Sequence, residues 1–174
     1  MNLTITIESP RQSEVETLVE LSADFAQALY PPETNFLLGV EKLDRSDVSV
    51  YLARDDSARA LGMAALVLST SADETATGAA HGAADGAAHG AATVIAELKS
   101  LFVHPDGRGQ GVAAELLDRI ETDARDAGAV ELVLETGPLH SAALRLYRKR
   151  GFHEIPLFGE YVGATQSLCF AKPL

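Results

Sequence analysis

"DGRGQGVAAELL", residues 106–117, packs three glycines and an arginine into the mouth of an amphipathic run. Two readings compete for it. Gly109, Gly111 and Ala114 spell the G-x-G-x-x-A of a dinucleotide fold, whereas Arg108, Gly111 and Ala113 spell R-x-x-G-x-A. Both start from the same physics: amides at a helix start are unsatisfied donors, the helix dipole favours negative charge there, and glycine lets an anion approach the backbone. A nucleotide P-loop is excluded, because no G-K-[ST] follows to reach terminal phosphates and a magnesium ion.

The flanks narrow the choice. Upstream, "TVIAELKSLFVHP" (93–105) reads as a long central strand, with Val94, Ala96, Leu98 and Phe102 on one face and Ile95, Leu101 and Val103 on the other. Downstream, Val112, Leu116, Leu117, Ile120, Ala124 and Ala127 form one helical stripe that Gly128 closes. Glu115, Asp118, Arg119, Glu121 and Arg125 fall mainly on its wet side. "AVELVLET" (129–136) is a buried strand and "HSAALRLYRKRGF" (140–152) a helix ended by Gly151, with Arg148, Lys149 and Arg150 in its last turn; "FHEI" and "QSLCFAKPL" supply closing strands.

A dinucleotide fold would want a ribose-binding acid about twenty residues on, and Glu131 or Glu135 lies there. Against it, "HPDGR" separates the glycines from the strand, only one βαβ-like unit follows, and no second nucleotide half fits after the chain's midpoint.

Earlier in the chain, Leu3, Ile5 and Ile7 alternate as a first strand. Ser13 and Glu16 form a capping box for a helix whose stripe is Val15, Leu18, Leu21 or Ser22, Phe25 and Leu29. A short helical stretch over 33–43 precedes strands at 48–55 and 60–70. Residues 71–92 then repeat G-A-A-x in steps of four. His81, Asp85 and His89 could share one side of a helix as metal ligands, but a glycine in every step costs about 1 kcal/mol relative to alanine, so a low-complexity loop expansion is expected and no metal.

Composition sets the outer bounds. A chain of 174 residues, 47% hydrophobic, suits one domain over 1–174 with a single core. Its formal net charge of −11 disfavours nucleic acid and anionic membranes as partners. No apolar stretch is long enough to span a bilayer and the start lacks signal-peptide order, so a cytoplasmic address is expected. The lone cysteine, Cys169, is expected to be a buried strand residue.

With its strand before and amphipathic helix after, the R-x-x-G-x-A loop resembles the acetyl-CoA pyrophosphate loop of the GNAT N-acetyltransferase superfamily. "AALRLYRKRGF", with Ala143, Leu146, Tyr147, Gly151 and Phe152, is similar to that family's A-x-x-L-Y-x-x-x-G-F helix and turn. The likeness is specific over 93–152 and looser elsewhere. It implies an α/β fold of α+β type: a mixed, mostly antiparallel central sheet flanked by helices, with acetyl-CoA in a cleft at the central strands.

The reaction implied is direct acetyl transfer from acetyl-CoA to a primary amine, most simply of a small molecule, by a monomer or homodimer. Pantetheine would lie along Leu101, Phe102 and Val103. The pyrophosphate would sit on the amides from Gly109 through Gln110, Gly111 and Val112 to Ala113, with Arg108 adding charge. Where the family commonly has Asn, seven residues before the tyrosine, this chain has His140; Ser141 and Ala143 neighbour it on the cofactor side.

By the same resemblance Glu97 is the general base and Tyr147 the acid for the leaving thiolate, while Glu135 is a second candidate base or an ammonium ligand. Tyr30, Glu33 and Tyr161 lie in segments suited to the acceptor. Two other functions stay open at this point: an acyl-CoA-binding protein without catalysis, and an NAD(P)-dependent oxidoreductase.

Overall fold

The computed structural model describes residues 2–31, 36–70 and 93–174. In chain order the elements are β1 (Thr4–Ile7), α1 (Ser13–Gln27), α2 (Val40–Leu43), β2 (Val48–Arg54), β3 (Ala60–Thr70) and β4 (Val94–Val103). There follow α3 (Val112–Asp126), β5 (Ala129–Thr136), α4 (Ser141–Lys149), β6 (His153–Ile155) and β7 (Leu168–Pro173). The strands form a mixed seven-stranded sheet in the order β1-β2-β3-β4-β5-β7-β6. The chain gathers into two compact units, Met1–Val67 with Leu98–Asp123 and Leu68–Glu97 with Ala124–Leu174, and β3 and β4 each contribute to both.

In the first unit, β1 and β2 pair antiparallel with Thr4 opposite Arg54, and β2 and β3 pair with Val50 opposite Ala65. Alternation puts Val50 and Leu52 of β2 on the same face as Met63 and Ala65 of β3. There they pack with Val15 and Leu18 of α1, Leu43 of α2 and Phe102 of β4. Each large apolar side chain buried here contributes about 1.5–3 kcal/mol. In the second unit β7 is central, pairing antiparallel with β5 (Glu135 opposite Cys169) and β6 (Ile155 opposite Cys169). Cys169 is buried and free, as a strand residue was expected to be.

Some local expectations fail for identifiable reasons. Ser13 does not cap α1: Gln12 occupies the N-cap with extended backbone (φ −149°, ψ 152°), and Ser13 is already helical. Phe25 leaves the buried stripe and is 42% exposed. Helix α2 is one turn, begun after Gly39, and 36–39 of the stretch expected over 33–43 are not helical. On α3, Ala127 lies past the helix end and is exposed, whereas Glu121 is buried. In β4 the even-numbered face is buried at Ala96, Leu98 and Phe102. The odd face, apart from Ile95, is only half-buried at Glu97, Lys99, Leu101 and Val103, so the strand is less enclosed than expected. Ser100 interrupts it with a left-handed backbone, φ 54°. The G-A-A-x expansion at 71–92, with His81, Asp85 and His89, and the acceptor candidate Glu33 lie outside the described residues.

Candidate active site

In the first unit, the segment after β4 turns sharply. His104 closes a 3-10 turn over Pro105–Gly107, its Nδ1 accepting from the Asp106 amide at 3.2 Å and its carbonyl accepting from the Gly107 amide at 2.8 Å. Gly107 is required by close approach, since a Cβ there would meet the Leu61 carbonyl oxygen at 2.9 Å. Gly109 and Gly111 are required for a different reason: both are left-handed, at φ 74° and 85°, yet an added Cβ would meet nothing within 4 Å. The space beside them is open.

Helix α3 starts immediately after. Its first carbonyl to be used is that of Gly111, which accepts from the Ala114 and Glu115 amides at 2.9 and 3.1 Å. Among the described residues none accepts from the amides of Gly109, Gly111, Val112 or Ala113. A run of four such donors at a helix N-terminus is an anion seat.

The side chains of this loop are engaged elsewhere. Val112 is 1% exposed and packs so closely against Gly62 that a Cβ there would lie 2.8 Å from its Cγ1. Gln110 donates its side-chain amide to the Asp106 carbonyl and closes the loop. Arg108 lies over the rings of Phe25 and Phe102, at 5.1 and 5.9 Å from their centroids, with Nε donating to the Val103 carbonyl at 3.4 Å. Tyr30, also in this unit, is 5% exposed at the end of α1.

The second unit carries the ionisable side chains. Glu97 of β4 is half-buried, and the Tyr161 hydroxyl donates to its Oε1 at 2.8 Å. Tyr161 is 3% exposed, held edge-on by Phe158 at a centroid distance of 5.2 Å. Burial first, then the negative charge of Glu97, pushes its phenol far above the ordinary range, so it stays a proton donor in this bond. On β5, Glu135 accepts at Oε1 from the Ser167 hydroxyl at 2.6 Å.

Tyr147 is buried on α4 between Phe152 and Phe170, and desolvation, with a contribution from Glu135, raises its phenol well above the ordinary value. The Cys169 thiol is pushed up to about 11, chiefly by burial, which keeps it protonated at neutral pH and poorly suited to nucleophilic attack. His140 precedes α4, its Nδ1 3.4 Å from Thr136 Oγ1; burial lowers its pKa and favours the neutral ring. Ser141 is exposed and Ala143 half-buried on the first turn of α4.

Thus the fold joins Glu97 to Tyr161 directly, and the charges of both Glu97 and Glu135 act on Tyr161 and Cys169. Two partners escaped the sequence reading. Ser167 is 32 residues from Glu135 and has no local signature. Phe25 was read as core because helical periodicity cannot distinguish packing against the sheet from packing against an arginine. In the second unit a half-buried carboxylate and buried phenols can accept and donate a proton; in the first, vacant amides can hold an anion.

The model of the acetyltransferase (GNAT) family matches residues 15–152. Over 173 residues, 99% of both proteins, the chain is 35% identical to the IAA acetyltransferase of Azospirillum brasilense. A solved structure from Klebsiella pneumoniae, described as an acyl-CoA N-acyltransferase, superposes with a TM-score of 0.72 at 26% identity, covering 99% of this chain and 97% of that one. A GNAT family acetyltransferase from Elizabethkingia anophelis, solved with acetyl-CoA bound, shares the fold with a TM-score of 0.64 at 19% identity over 99% of each chain. Among the described residues no helix is long and apolar enough to cross a membrane.

Proposed function

The chain belongs to the acetyltransferase (GNAT) family and is an acyltransferase using acetyl-CoA, and from that premise we propose that it acetylates a primary amine of a small molecule by direct transfer. The observation that carries this reading is the set of amides at Gly109, Gly111, Val112 and Ala113 with no acceptor among the described residues, at the start of α3 and beside the open space around Gly109 and Gly111. A diphosphate fits donors of this kind, and the pyrophosphate of acetyl-CoA is the one the family supplies. Arg108 reinforces it by leaving its aromatic perch for the anion. The strand segment Leu101, Phe102 and Val103 takes the pantetheine arm, and His140, Ser141 and Ala143 are further candidates for cofactor contact.

Glu97 removes the proton from the acceptor's ammonium, directly or through water. The freed amine nitrogen bonds to the thioester carbonyl carbon, the carbon–sulfur bond breaks, the departing thiolate takes the phenolic proton of Tyr147, and the second proton lost from the nitrogen as the amide forms passes through water to restore the phenol. Glu135 attracts the cationic acceptor before deprotonation, and Tyr30 is a further candidate for contact with the acceptor. The protonated thiol of Cys169 supports direct transfer over an acyl-cysteine route.

Release of free CoA from acetyl-CoA in the presence of a panel of primary amines, amino acids and IAA tests the proposal, with mass spectrometry of the product. Acceptor-dependent release with one new acetamide is the expected result. Ester or thioester products, or a stable acetylated protein, would overturn it.

A further inference from the structure

We infer that Tyr161 is a positioning residue for Glu97: its phenol, fixed at 2.8 Å from Glu97 Oε1, holds this carboxylate in one orientation and in its ionised form for the proton it must receive. The inference rests on Glu97 being the base of the proposed reaction. What it adds is a role for a tyrosine that the family motifs do not include.

The argument starts from the ring. Tyr161 sits in a 3-10 turn over Gly159–Tyr161, and its backbone amide donates to the Phe158 carbonyl at 2.9 Å. The ring is nearly perpendicular to that of Phe158, at 88°, and only 3% exposed, so the hydroxyl has little freedom to turn away from the bond it makes. A carboxylate on a half-buried strand face would otherwise sample several rotamers and would lose charge as water is excluded by a bound acceptor. A neutral donor counters both tendencies. It restricts the rotamer, and it favours the charged form without neutralising it as an arginine or lysine would. The phenol can do this across the working pH range because burial and the charges of Glu97, Glu160 and Glu135 all oppose its ionisation. The charges of Glu97 and Glu135 also reach Cys169 on β7, and that of Glu135 reaches Tyr147 on α4.

The test is a cycle of Tyr161→Phe, Glu97→Gln and the double variant, measured as free-CoA release against pH with the best amine of the panel. Tyr161→Phe is expected to lower kcat about tenfold, leave KM for acetyl-CoA within about twofold, and move the acidic limb of the kcat profile up by about one pH unit, since a donor to the charged form has been lost. In the Glu97→Gln background the same change is expected to have no effect on kcat.

Equal losses in both backgrounds, or an acidic limb that does not move, would sink the positioning role while leaving Glu97 as the base. Wild-type turnover by Glu97→Gln would instead remove the base, and the positioning role with it. Should Tyr161→Phe not fold, Phe158→Leu keeps the phenol but removes the ring it leans on. A smaller shift of the acidic limb in the same direction is then expected, and no shift counts against the inference.

Discussion

The loop after β4 and the carboxylates on β4 and β5 are built on opposite plans. Residues 107–113 form one short run whose available donors are main-chain amides, while its side chains point into the core, close the loop or lie on aromatic rings. The carboxylates depend on side chains alone, brought to their partners across 64 residues for Tyr161–Glu97 and 32 for Ser167–Glu135. The first plan rests on backbone angles more than on side chains, with Gly107, Arg108 and Val112 the positions where the side chain also matters. The second tolerates only particular side chains, on a backbone that could be almost any strand.

That contrast can be broken by substitution. Glu97→Gln preserves shape and the ability to accept from Tyr161 but removes the proton acceptor. A loss of kcat of about 10²-fold or more is expected, with KM for acetyl-CoA nearly unchanged, as steady-state kinetics would register. Tyr147→Phe, which deletes one oxygen from a buried ring, is expected to lower kcat by roughly 10–10²-fold while acetyl-CoA binding by calorimetry stays the same; unchanged turnover removes the phenol from the mechanism.

Gly111→Ala should do the reverse. No atom stands in the way of the methyl, but the left-handed backbone at φ 85° costs about 1–2 kcal/mol for an L-residue, so KM for acetyl-CoA rises roughly tenfold with kcat retained. A fall in kcat without a change in KM would show that the two plans are not separable.

The same contrast explains what could be read in advance. β2, β3, α3 and α4 follow from local periodicity, and Gly128 and Gly151 take the left-handed angles, 79° and 86°, that ended the expected helices. The glycine loop was legible because its function resides in consecutive residues. Glu97, Glu135 and Tyr161 could each be singled out by chemistry or resemblance, but not the bonds that pair them, because strand order decides which distant side chains meet. Local rules also failed where a competing bond won. Gln12 displaced Ser13 from the cap of α1, and its side chain turned back to the Ser9 carbonyl at 2.7 Å and to Glu8 at 3.1 Å.

That turn of chain supplies the smallest and most local prediction, a side-chain network in the loop's own unit that does no chemistry. Arg54 of β2 grips both oxygens of Glu8 at 2.8 Å, and its Nη1 donates to the Ala58 carbonyl at 2.9 Å. The guanidinium bond is the main reason the Glu8 carboxyl is held down to about 2 from 4.5. A carboxyl with a lowered folded pKa adds stability that is complete above its unfolded value and fades as pH falls, here between about 4.5 and 2. With both side chains about four-fifths buried, the contribution is on the order of 2 kcal/mol. Arg54→Leu is therefore expected to lower the unfolding midpoint at pH 7 and to flatten its decline on acidification, because the linked proton has lost its partner. Acetyl-CoA KM and kcat should not move. If they do, the loop's backbone depends on this distant side-chain network, and the division between the two plans is less clean than the geometry of either region suggests.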